Sequence, residues 1–187
     1  MAPTRTDRND TDEDAVDLLA SDHDAIAELF DRYETLAADE ASAEERHALA
    51  EEICTLLLVH GAIKEEIFYP AARECLPDDE DLMDDAQEEH DAAKELIHQI
   101  QLGAASDDDT CALFLELSDA IDDHVQEEQD EMFPKVREAG MNTAEVGGRL
   151  KARKDELEAD AAKGIPVGSP TQSLMDRIAA FWGPPSI

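Results

Sequence analysis

Two stretches of this chain occur twice, and each copy carries a histidine. His23-Asp24-Ala25 with Glu28-Leu29 returns 67 positions later as His90-Asp91-Ala92 with Glu95-Leu96. His60, with Phe68-Tyr69-Pro70 and Arg73-Glu74, returns 64 positions later as His124, with Met132-Phe133-Pro134 and Arg137-Glu138. Such a pattern predicts a duplicated helical hairpin in which each half supplies two histidines at matched places.

The apolar residues keep helical spacing throughout. Val16, Leu19, His23, Ile26, Phe30 and Tyr33 step by three and four along a first helix, which Thr11 and Asp14 can cap and which runs to about Ala38. Ser42 and Glu45 form a capping box ahead of a second stripe of Leu49, Ile53, Leu56, His60, Ile63 and Ile67. Pro70 is expected to kink the last turns of that helix. A third helix over about 80–102 carries Met83, Ala86, His90, Ala93, Ile97 and Ile100 on one face and stops at Gly103. A fourth, capped from Ser106, carries Leu113, Leu117, Ala120, His124 and Glu128 and stops at Gly140. No period-2 pattern competes with these helices. The expected fold is all-α: an antiparallel up-down-up-down four-helix bundle over 11–140. A further helix over 141–164 packs on it, a charged disordered tail covers 1–10, and a linker with a short amphipathic segment covers 165–187.

Helical rise sets the depth of each histidine. At about 1.5 Å per residue, His23 lies roughly 23 Å from the end of its helix and His60 roughly 26 Å from the start of the next. An antiparallel hairpin therefore brings them to one height. His90 and His124 meet the same test at roughly 18 and 26 Å, with the loop taking up the difference. Four imidazoles buried at one level would need four sets of hydrogen-bond partners, and a shared metal ion satisfies them together. Glu128 lies one turn beyond His124, so both can project inward, and a mixed imidazole and carboxylate set suits a transition metal inside a bundle. His47, His98, Glu28 and Glu95 are expected on the surface, and Tyr69 and Phe133 in the core or shielding the site. Asp24 and Asp91 could orient imidazoles, with solvent exposure the alternative.

Composition narrows the partners. With 48 acidic against 15 basic residues the formal charge is −33, which disfavours nucleic acid and anionic membranes. Salt would screen the self-repulsion of such a surface. No apolar run is long enough for a membrane span and no signal peptide is visible. Cys54, Cys75 and Cys111 read as reduced thiols, so the expected location is the cytoplasm. Residues 171–182, with Leu174, Ile178, Phe181 and Trp182, either fold back on the bundle or dock a protein partner.

The ordered set His23, His60, His90, and His124 with Glu128 resembles the hemerythrin-like HHE cation-binding domain. The segments from His60 to Pro70 and from His124 to Pro134 look like its two signature stretches. The resemblance covers about residues 14–139 and implies a non-haem iron site, typically di-iron. It also implies binding or sensing of dioxygen or a related small oxidant such as peroxide or nitric oxide. One position departs from the pattern. Where the family carries its first bridging glutamate, this chain has Lys64. Three readings are open: Glu65 takes over as a ligand through a π-bulge, the site holds one metal, or Lys64 reaches Glu128 and replaces the second metal's charge, leaving a weakened or empty site. The expected ligands are thus His23, His60, His90, His124 and Glu128, with Glu65 as the substitute. No separate general acid, nucleophile or cofactor motif is present, so binding is expected rather than catalysis. A bundle whose metal site has decayed, working as an interaction module, is the alternative.

Overall fold

The computed structural model describes residues 14–39, 41–103 and 108–167. The expected tail over 1–10, the capping residues Thr11 and Ser106, and the segment 171–182 lie outside these. The described chain is five helical rods. α1 is Ala15–Ala38. α2 covers 43–75 as an α-helix Ala43–Ile63, a π-helical turn Lys64–Phe68 and a final α segment Tyr69–Cys75. α3 is Glu80–Leu102. α4 repeats the build of α2 over 108–138, with Asp108–Glu127, a π-turn Glu128–Met132 and Phe133–Glu138. α5 is Thr143–Ala161.

Local chemistry sets the ends. Asp14 caps α1 by accepting from the Val16 and Asp17 amides, at 3.0 and 3.3 Å. Ser42 and Glu45 close their capping box at the start of α2. Gly103 ends α3, and Gly140 follows α4 with φ +80°, a backbone state that glycine adopts without strain.

Each π-turn precedes a proline by a few residues, Pro70 in α2 and Pro134 in α4. Proline brings no amide hydrogen and its ring crowds the carbonyl four residues back, which an α-helix cannot absorb without distortion. The wider π-turn takes up that conflict, and both rods remain helical through the proline.

α1 packs on α2 and α3 on α4, and the two hairpins close on each other. α5 lies against α1 and α2. It buries Val146, Leu150 and Leu157 and gives α2 a second covered side, which is why α2 is apolar around much of its girth. Two apolar clusters fill the bundle. One holds Leu19, Ile63, Phe68, Met83, Phe133 and Leu150; the other holds Ile26, Phe30, Ile53, Ile97, Phe114 and Leu117. His23, His90 and His124 fall in sequence between residues of the two clusters and His60 at their boundary, so a polar layer is sandwiched in the core.

Candidate metal centre

His23, His60, His90 and His124 are all buried, between 3 and 7% exposed, and turn their Nε2 atoms inward. They form two pairs. Nε2 of His23 is 3.1 Å from Nε2 of His60, and Nε2 of His90 is 3.2 Å from Nε2 of His124. The ring centroids are 4.9 and 4.8 Å apart, so the duplication is preserved in the geometry. Glu128 stands between the pairs, with Oε2 3.4 Å from Nε2 of both His23 and His124.

The outer nitrogens obey the same symmetry. Asp22, on α1, meets His60 Nδ1 at 3.3 Å, and Glu89, on α3, meets His124 Nδ1 at 2.6 Å. Glu65, on α2, meets His90 Nδ1 at 3.0 Å, and its repeat counterpart Gln129, on α4, meets His23 Nδ1 at 3.3 Å. A carboxylate on Nδ1 demands a hydrogen there in a neutral ring. His60, His90 and His124 therefore present bare lone pairs at Nε2. Gln129 can offer His23 either its amide nitrogen or its oxygen, so that ring is free to take either tautomer.

Three repeat-related positions break the symmetry. Opposite Glu128 stands Lys64, fully buried, with Nζ 2.7 Å from Glu128 Oε2 and 2.7 Å from His124 Nε2. Opposite Gln129 stands Glu65, which also pairs with Lys94. Opposite Phe133, stacked on the His23 ring, stands Tyr69, whose hydroxyl donates to Glu128 Oε1 at 2.9 Å and lies 3.2 Å from His90 Nε2. The pole at His23 and His60 is thus open toward Glu128, while the pole at His90 and His124 is filled by an ammonium and a phenol.

The electrostatics follow from burial and from Lys64. Burial pushes the imidazoles of His60 and His90 down to about 3 and about 4, helped by the Lys64 charge and opposed by their carboxylate partners. His23 is lowered by burial too. Burial alone would raise Glu128, but the charge of Lys64 and the close contacts with His124 and His23 outweigh it and hold the carboxyl well below its usual range. Burial lowers the Lys64 ammonium against the pull of Glu128. Neutral imidazoles around an ionised carboxylate are the protonation states a cation requires.

The donor set fits one cation. One ligand atom each from His23, His60 and Glu128 lies within 4.8 Å of the others. Lone pairs on His60, His90 and His124 converge with the carboxylate, His23 adds a fourth when Gln129 accepts its Nδ1 hydrogen, and Lys64 and Tyr69 supply inward hydrogens. At the second pole the Lys64 nitrogen stands between His124 and Glu128. A cavity of about 30 Å³ opens beside the histidines, walled by Ile26, Leu57, Leu58, Ala93, Ile97 and Ile121. It has room for a ligand of one or two heavy atoms.

The expected residues are placed as follows. His23, His60, His90, His124 and Glu128 meet at the centre. Glu65 does not join them. The π-turn begins at Lys64 and keeps the lysine inward, so Glu65 falls on the outer nitrogen of His90. Asp24, Asp91, His47, His98, Glu28 and Glu95 are exposed. Sequence reasoning missed Asp22, Glu89, Gln129 and the polar role of Tyr69. A signal existed for the first two, because an acidic residue directly precedes the histidine in both copies, Asp22-His23 and Glu89-His90.

The model for the hemerythrin HHE cation binding domain matches residues 14–162, which takes in α5 as well as the bundle. Among curated proteins no match is found. A solved structure of a hemerythrin HHE cation binding domain-containing protein from Mycobacterium kansasii shares the fold. Its TM-score is 0.68 at 22% identity, with 88% of this chain and 98% of that one covered. With the matched residues spanning all five helices and the histidine layer, the chain belongs to the hemerythrin HHE cation-binding domain family.

Proposed function

We propose that this protein binds a single iron ion through His23, His60 and Glu128, with Lys64 supplying the positive charge at the second pole. In this reading it uses the iron to bind or sense a small oxidant such as dioxygen, nitric oxide or peroxide. The observation that carries the reading is the Lys64 nitrogen, 2.7 Å from both Glu128 and His124. Two histidines and one carboxylate with open positions are a donor set that suits ferrous iron. When bound, the ion would supply electrons to the oxidant.

The residues around it have defined work. Asp22 and Gln129 orient the two ligating imidazoles, and the apolar wall limits entry to small ligands. Tyr69 and Lys64 hold Glu128 in place by its two oxygens. The odd cysteine count, with no paired cysteine motif, favours a cytoplasmic setting. The test is anaerobic loading with ferrous iron followed by addition of nitric oxide, dioxygen or peroxide. The expected outcome is a change in the visible and electron paramagnetic resonance spectra with at least one of them. An iron-loaded protein indifferent to all three would contradict the sensing role and favour an interaction module built on the same bundle.

A further inference from the structure

The fifth helix carries a side chain that reaches the metal centre. Asp22 is 6% exposed and uses both oxygens: Oδ2 meets His60 Nδ1 at 3.3 Å, and Oδ1 accepts the Lys154 ammonium from α5. The repeat counterpart differs. Glu89 bonds His124 in the same way, but its side chain is 39% exposed and water can balance its charge. Asp22 has no such access. A buried carboxylate needs a compensating charge, and without one it turns away toward solvent.

We propose that α5 is part of the metal centre, with Lys154 a positioning residue that acts through Asp22 to hold His60 with its Nε2 lone pair facing inward. The inference rests on the metal-binding reading above. Lys154 fixes which oxygen of Asp22 faces the ring, and Asp22 in turn fixes the hydrogen at His60 Nδ1. One turn-adjacent residue offers a control. Arg153 also docks α5, but it pairs with Glu66, which touches no inward-facing group, at 2.7 Å. Arg153 therefore reports docking of the helix, and Lys154 reports docking plus the ligand.

The experiment measures cobalt(II) uptake by the full chain, with affinity from chelator competition and ligand geometry from the visible bands. Lys154→Met is expected to weaken binding about tenfold and Asp22→Asn about 10- to 100-fold, both with shifted bands. The double variant should be no weaker than Asp22→Asn alone, because the lysine acts through the aspartate. Lys154→Arg should restore most of the affinity, and Arg153→Met should leave affinity and bands unchanged. Wild-type affinity and bands in Lys154→Met would overturn the inference, as would equal losses in Lys154→Met and Arg153→Met. Should Lys154→Met fail to fold, Lys154→Gln takes its place against the same two criteria. A wild-type chain that takes up no cobalt or iron would overturn the metal reading itself.

Discussion

The residue that decides the character of this centre is Lys64. Its position is the repeat partner of Glu128, so a faithful duplication would have placed two carboxylates across the histidine layer. The substitution turns that pair into a contact of 2.7 Å between opposite charges, fully buried. Burial lowers the pKa of His23, His60 and His90 around it. The unfolded chain takes up protons on its histidines near pH 6.5, whereas folded His90 and His60 do so only near 4 and 3. Between those values the unfolded state binds more protons, so falling pH favours unfolding. Each of the two is expected to cost on the order of 2 kcal/mol at pH 5 relative to neutral pH. Depressed Glu128 and Asp22 extend the loss below pH 4.5, in the same direction. Urea unfolding of the metal-free protein from pH 7.5 to 5 measures this. A midpoint that stays flat across that range would mean the two imidazoles are not held neutral. The histidines and Glu128 were legible in the sequence because they recur on apolar stripes. Asp22 and Glu89 left a signal in the repeated acidic-histidine pair but not their partners, because each reaches across to a histidine on the neighbouring helix, and helical spacing describes only what happens within one helix.

At the scale of the element, the two π-turns explain what spacing alone misjudged. The sequence marks Pro70 and Pro134 as kink positions, and one widened turn precedes each. That change in phase is what a substitution by Glu65 would have exploited. The turn starts at Lys64 instead, four residues beyond His60, so the lysine keeps the α-helical face of the histidine before the phase shifts. The start of α2 at the Ser42 capping box and the ends of α3 and α4 at Gly103 and Gly140 were readable, since these signals act locally. The role of α5 was not readable, because its sequence is mostly polar and its partners lie far away in the chain. Its apolar seam is short: Leu150 is fully buried, with Val146 and Leu157 one or two turns either side. Leu150→Ala is expected to destabilise the protein by about 2–5 kcal/mol, through lost burial and the cavity left behind. Urea unfolding followed by circular dichroism measures it. A single cooperative transition moved to lower urea is the expected form. A separate early transition confined to one helix would show that α5 is not integral to the fold.

For the whole molecule, the architecture does one thing: it holds four histidines at one level between two apolar clusters, under a strongly acidic surface. No helix among the described residues is long and apolar enough to cross a membrane. The duplication supplies a scaffold with two equivalent poles, and three repeat-related differences make them unequal. Lys64 stands for Glu128, Glu65 for Gln129 and Tyr69 for Phe133, so one pole is left for a metal ion and the other is closed by the protein's own cation. That asymmetry was visible at position 64 in the sequence. What it does there depends on side chains from both hairpins meeting, which only the fold displays. The central claim is one metal per chain, with Lys64 in the place of a second. It is tested most directly by counting iron equivalents retained after anaerobic loading and desalting, in the wild-type chain and in Lys64→Glu. The account predicts one equivalent in the wild type and two in the variant. Two equivalents in the wild type, or one in both, would contradict it.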